Sequence, residues 1–137
     1  MTSLASASTR NTDTAASSGN VSAETFAAER LAAFGRGDIA ALVAHYRDGA
    51  TVISPAGPLH GREQIKGMIE GIIAEFAQPG VSFELISQHA VGPIVTFSWT
   101  ARTGVNDYHL GAETYVLEDG LVAFQTFAAS VTPRAAH

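Results

Sequence analysis

Apolar positions along the first half of the chain recur every three to four residues, the repeat of a helix with one buried face. Ala27, Leu31 and Phe34 mark a first helix, expected to begin near Val21 with Ser22 as its N-cap and Glu24 in its first turn. Gly35 and Gly37 stop it. Asp38 then caps a short second helix whose stripe runs Ile39, Leu42, Val43 and Tyr46, and Arg47-Asp48-Gly49 ends that one. Residues 50–54 read as a short strand, broken by Pro55, Gly57 and Pro58. Gly61 opens the clearest helix, with Ile65, Met68, Ile69, Ile72, Ile73 and Phe76 on one face and Pro79-Gly80 after it. Gly67 and Gly71 inside it each cost about 1 kcal/mol against Ala, which predicts that something packs closely there.

From residue 81 the pattern changes to strands, expected over 81–90, 94–103, 108–117 and 121–132. Gly92-Pro93 and residues 104–107 form the first two turns, and Asp119-Gly120 is a strong hairpin signal. The alternation is imperfect. In the last strand Val122 and Phe124 are expected on one face, with Leu121, Ala123 and Phe127 on the other. A sheet apolar on both faces must be covered on both. The expected fold is therefore α+β: a cone-like curved antiparallel sheet of four long strands and one short strand, with three N-terminal helices enclosing a pocket. The helices cover one face, and a second copy of the chain covers the other as a homodimer.

The 137 residues suffice for one domain, expected over 21–132, between a disordered leader at 1–20 rich in Ser, Thr, Ala and Asn and a tail at 133–137. The leader lacks the apolar run of a signal peptide, so a cytoplasmic location is expected. Only 15% of residues are charged against 46% hydrophobic, which again points to a partner subunit or an internal cavity. Eight Lys and Arg against 13 Asp and Glu leave a formal charge of -5, without the basic footprint that nucleic acid or anionic membrane requires. With no cysteine there is no disulfide, thiolate ligand or cysteine nucleophile. No metal-ligand spacing and no phosphate-binding glycine motif occurs, so neither metal nor cofactor is expected.

Four stretches resemble the nuclear transport factor 2-like superfamily, especially its SnoaL-like and ketosteroid-isomerase-like branches. They are Gly37-Asp38-Ile39-Ala40-Ala41-Leu42-Val43, Asp48-Gly49-Ala50-Thr51-Val52-Ile53-Ser54-Pro55, Gly61-Arg62-Glu63-Gln64-Ile65 and Glu118-Asp119-Gly120-Leu121-Val122. The resemblance implies the curved-sheet fold over residues 22–131. It says less about chemistry, because that fold hosts isomerases, cyclases, dehydratases, hydrolases and binding proteins. The steroid isomerases carry a carboxylate base just before the Pro of the first strand, where this chain has Ser54. Their helix-borne Tyr matches Arg30, and their protonated acid on the third long strand matches Glu113. With one of three elements kept, ordinary ketosteroid isomerisation is not expected. The epoxide hydrolase branch uses an Asp-Arg-Asp set, of which Arg102 and Glu113 are the nearest counterparts.

Among individual residues, Glu113 stands mid-strand among small and apolar neighbours, a setting for a general acid or base or else for a cross-strand pair with Arg102. His109 and Tyr115 share its parity, which places imidazole, carboxyl and phenol on one wall as a proton-transfer set. Gln125, a polar residue in an apolar strand, orients a ligand or bonds across an interface. Trp99 joins Phe97 and Val95 as core or cavity floor, and Phe26 and Met68 as wall. Ser54 and His60 flank the Pro-Gly-Pro loop at the expected pocket mouth. His45, His89 and His137 are expected to carry no chemistry. The function expected is a cofactor-independent isomerase, cyclase, dehydratase or hydrolase acting on a small hydrophobic molecule. The alternative is a non-catalytic ligand-binding or dimerisation module.

Overall fold

The computed structural model describes residues 18–135, so most of the expected leader and the last two residues of the tail lie outside the described residues. Three helices, α1 (Ser18–Arg36), α2 (Ile39–Ala44) and α3 (Arg62–Phe76), pack against six strands. These are β1 (Tyr46–Ser54), β2 (Gly57–His60), β3 (Ser82–Val91), β4 (Ile94–Arg102), β5 (Asn106–Glu118) and β6 (Leu121–Pro133). The strand order β2-β1-β6-β5-β4-β3 makes one curved, unclosed sheet.

Several boundaries follow from identifiable local chemistry. Gly37, at φ +67°, turns the chain after α1, and the Asp38 carboxylate accepts the Ala41 N–H at 3.1 Å to cap α2. Asp119 and Gly120 both have positive φ, the backbone of a two-residue hairpin turn whose twist matches the strands it joins. On α3, Ile65, Ile69 and Ile73 are buried at a regular four-residue interval.

The structure departs from the sequence reading in five places. Helix α1 begins at Ser18, which puts Ser22 inside the helix rather than at its cap. Helix α2 ends at Ala44, and Tyr46 opens β1 instead of closing the helical stripe, fully buried all the same. The Pro-Gly-Pro segment makes a sixth strand, β2, folding back on β1 with Ser54 opposite Gly57. The sheet is mixed, not antiparallel throughout, because β1 runs parallel to β6. Gly67 and Gly71 are exposed, with nothing within 4 Å of where a Cβ would stand, so no close packing accounts for them.

Two bulges decide which side chains face inward. Tyr108 pairs with Val131 and Leu110 with Ser130, so His109 is an extra residue in β5. Val116 pairs with Phe124 and Leu117 with Val122, so Ala123 is an extra residue in β6. Each bulge flips the parity of everything beyond it. Tyr108 therefore faces the helices and His109 is exposed. Gln125 and Phe127 turn inward, while Phe124 turns out and is 37% exposed.

Candidate functional site

Between the concave sheet face and helices α1 and α3 lies a cavity of about 100 Å³. Its wall is mostly apolar: Phe34, Met68, Ile69, Phe76, Phe97, Trp99 and Phe127 among others. Phe83 is the one exposed lining side chain and is packed against Trp99 with ring centroids 5.5 Å apart. The polar lining residues are Arg30, Tyr108, Glu113, Tyr115 and Gln125. Four of these belong to a single hydrogen-bonded network or touch it, and Arg30 is its centre.

Arg30 is 8% exposed and sits on the face of α1 that carries Ala23, Phe26 and Ala27. Its Nη1 donates to the Leu42 carbonyl at 2.8 Å and to His45 Nδ1 at 3.2 Å. Its Nη2 donates to the Tyr46 hydroxyl at 2.6 Å and its Nε to the Tyr115 hydroxyl at 3.3 Å. Burial works against the cation, but Tyr115, Tyr46 and Glu113 together hold its pKa above the ordinary value. A guanidinium can only donate. Each tyrosine oxygen is therefore an acceptor toward Arg30, and each phenolic hydrogen must point away from it. The Tyr115 hydrogen goes to Glu113 Oε1, and the Tyr46 hydrogen goes to Gln125 Oε1 at 2.5 Å. By the same logic His45 Nδ1 carries no hydrogen, and burial followed by the nearby Arg30 charge pulls its pKa down.

The Glu113 carboxylate is held at both oxygens, since Trp99 Nε1 donates to Oε2 at 3.0 Å. Trp99 reaches it by lying across Gly111, its register partner on β5. Burial raises the Tyr46 phenol to about 12 and Tyr115 well above 10, so both are hydrogen-bond donors at neutral pH and not acids. At the other end of the cavity Tyr108 donates to Glu75 at 2.9 Å, and Thr103 Oγ1 and Asn106 Nδ2 donate to the same carboxylate at 2.6 and 2.9 Å. Burial opposes the Glu75 charge, but these bonds bring its pKa below the usual value. That cluster ties α3 to the β4–β5 turn.

Glu113, Tyr115, Gln125, Trp99 and Met68 all line the cavity. His109 does not: the β5 bulge excludes it, and its Nε2 meets Thr132 Oγ1 at 2.8 Å on the surface. Ser54 and His60 are also outside the lining. The Ser54 hydroxyl accepts the Ala56 N–H, and His60 Nδ1 meets Thr51 Oγ1, both within the β1–β2 hairpin that the Pro-Gly-Pro segment forms. Phe26 stands behind the wall, edge-on to Tyr115 at 5.1 Å. Arg102 pairs with Asp107 at 2.7 Å, not with Glu113, because it points to the opposite face at the end of β4. The sequence reading attached no chemistry to His45, and it named Arg30 and Tyr46 without finding the network they form. The available signal was Arg30 itself, a lone cation three and four residues from Ala27 and Phe26 on a buried helical face. Among the described residues no three His, Asp or Glu side chains converge as metal ligands, and no helix is long and apolar enough to cross a membrane.

With this geometry defined, comparison with known proteins fixes the class. The family model of the SnoaL-like domain matches residues 27–125, and the chain belongs to that family. Solved structures with the same fold include a SnoaL-like protein of unknown function from Burkholderia thailandensis, 23% identical, with a TM-score of 0.64 over 80% of this chain and 95% of that one. An NTF2-like protein of unknown function from Burkholderia xenovorans is 17% identical, with a TM-score of 0.68 over 86% and 90%. A candidate ketosteroid isomerase from Kribbella flavida is 15% identical, with a TM-score of 0.67 over 86% and 84%. At these identities the likeness concerns the fold. A search of curated proteins gives no significant match.

Proposed function

We propose that this SnoaL-like domain is a cofactor-independent acid/base enzyme acting on a small hydrophobic molecule bound in the cavity, with Glu113 as the group that takes up and returns the proton. The observation that carries this reading is the state of Glu113. It is the one carboxylate among the described cavity-lining residues, and Tyr115 and Trp99 fix both its oxygens in a mostly apolar wall. A carboxylate held this way spends no free energy on reorientation when a substrate arrives. Arg30 reaches Glu113 only through Tyr115, whose oxygen it holds while the Tyr115 hydrogen goes to the carboxylate. Tyr115 is a positioning residue in this scheme. Isomerisation, cyclisation, dehydration and hydrolysis all remain within reach of one such group.

The test is turnover of small enones, epoxides and esters by the protein and by Glu113→Gln. A loss of roughly 10²–10⁴-fold is expected for a general acid or base. Unchanged turnover in the variant removes Glu113 from the chemistry. Ligand binding without turnover by either protein would favour the alternative, a binding module; the cavity is smaller than the roughly 300–1,000 Å³ of most ligand sites, which restricts either reading to a very small molecule.

The reading includes a cytoplasmic homodimer formed through the convex sheet face. Ile53, Val91, Ile94 and Phe124 are exposed there, among His89, Thr96, Ser98, Ala112, Thr114, Thr126 and Ala128, with no Asp, Glu, Lys or Arg among the described residues of the central patch. Light scattering on the eluting protein should give twice the chain mass. A monomer at micromolar concentration contradicts it.

A further inference from the structure

The direction of the Tyr46 hydroxyl determines what Gln125 offers the cavity. Arg30 Nη2 occupies the Tyr46 oxygen as donor, so the phenolic hydrogen points to Gln125, and the amide atom that meets it must be the carbonyl oxygen. The Gln125 NH₂ is left on the other side of the amide. Gln125 is 3% exposed and lines the cavity, and no acceptor for its amide nitrogen exists among the described residues. The amide nitrogen is not sealed off, since Glu24 Oε2 is the one fully buried unpartnered side-chain atom among the described residues; it opens onto the cavity as a donor that a ligand acceptor can take up. Gln125 pairs with Tyr115 across β5 and β6, and Glu113 pairs with Phe127, so Gln125 and Glu113 are diagonal neighbours on the concave face. Such neighbours stand about 7–8 Å apart, enough for a small polar group between them.

Size supplies the second restriction. The cavity of about 100 Å³ is somewhat smaller than the ~150 Å³ void that accommodates benzene in an engineered protein core. It is not sealed, because Phe83 is exposed at its edge, so a short chain or one small ring that reaches past Phe83 can enter, and polycyclic molecules are excluded.

Building on the ligand-site reading above, we propose that Gln125 is the specificity-determining residue, and that its amide selects a compact, mainly hydrocarbon molecule bearing one acceptor oxygen, such as a monocyclic ketone. Tyr46 and Arg30 hold the amide in the donating orientation. Fused-ring ligands are rejected by volume, and pure hydrocarbons bind more weakly than the ketone because the donor stays unmet.

Cyclohexanone and toluene, which have the same number of heavy atoms, test this by calorimetric titration of the whole chain. Cyclohexanone binding should weaken roughly tenfold in Gln125→Met, the value of one hydrogen bond, while toluene binding holds or improves. Toluene binding also reports that the variant is folded. Gln125→Glu, the same shape with an acceptor in place of the donor, should weaken cyclohexanone at least as much. The ketone carbonyl stretch should move to lower frequency on binding to the wild-type protein and not to Gln125→Met. If both probes bind and both variants weaken them equally or not at all, the selective role of Gln125 is wrong while the ligand cavity stands. If neither probe binds the wild-type chain, the ligand cavity itself is wrong and this inference goes with it.

Discussion

Trp99 lies so closely across Gly111 that a methyl group on that glycine would stand 2.3 Å from the indole ring. The glycine is there for the tryptophan: only a residue without Cβ lets the ring lie flat on β5 and bring its N–H to Glu113. Gly111→Ala must push the ring away. A destabilisation of about 1–3 kcal/mol is expected from the overpacking. Trp99 is the sole tryptophan, so the intrinsic fluorescence of the folded variant reports the displacement directly. A spectrum and denaturation midpoint equal to those of the parent would show that the contact yields easily.

Arg30 satisfies four acceptors from within the core, and removing it leaves them facing one another. Arg30→Met should cost about 3–5 kcal/mol, the range for breaking a buried charged cluster from one side. Arg30→Lys should recover only part of it, since an ammonium lacks the planar fork that reaches both tyrosines. Urea denaturation of the two variants decides this. A methionine variant within about 1 kcal/mol of the parent would mean that water replaces the guanidinium at little cost.

All three tyrosines have raised pKa values: Tyr46 and Tyr108 at about 12, Tyr115 well above 10. Burial is the leading cause in each. Tyrosinate absorbance should stay flat through pH 10, where a free phenol is half ionised, and rise only nearer pH 12. The sign for stability follows from the raised folded pKa: the contribution is complete below about pH 10 and is lost as pH climbs through the folded values. A tyrosinate step centred near pH 10 would contradict the network.

His45 behaves in the opposite sense. It receives a hydrogen bond from Arg30 through an unprotonated Nδ1, and its folded pKa is depressed by burial and by that cation. Glu29 and Asp38 act in the opposite direction, and Arg36 adds to Arg30; Phe26 lies edge-on to the ring. The unfolded chain therefore binds the proton more readily. Stability should be complete above the ordinary imidazole value of about 6.5 and fall as pH drops through the lower folded value. His45→Gln, which can still accept from Arg30, should flatten that part of the stability profile. An unchanged profile would place the acid sensitivity elsewhere.

Much of the fold was legible because its signals are local. The Asp38 cap, the Asp119-Gly120 turn and the isoleucine stripe of α3 depend on a few adjacent residues, and each stands where the sequence puts it. The parallel pairing of β1 with β6 joins segments far apart in the chain, and no short-range pattern encodes it. Within the site, Glu113 and Tyr115 follow simple alternation and were found that way. His109 was expected beside them because alternation presumes an unbroken period of two, and a bulge interrupts the period without a distinctive residue to announce it. The role of Arg30 was hidden for a different reason. Its partners come from α2, β1 and β5, and only the packed molecule brings them together.

The additional residue at Ala123 also makes this strand tolerant of shortening. With Ala123 removed, Val122 opposite Leu117 would adjoin Phe124 opposite Val116, so alternation would become regular while Gln125 kept its place opposite Tyr115 on the cavity side. A codon can therefore be lost at that point without changing what lines the chamber.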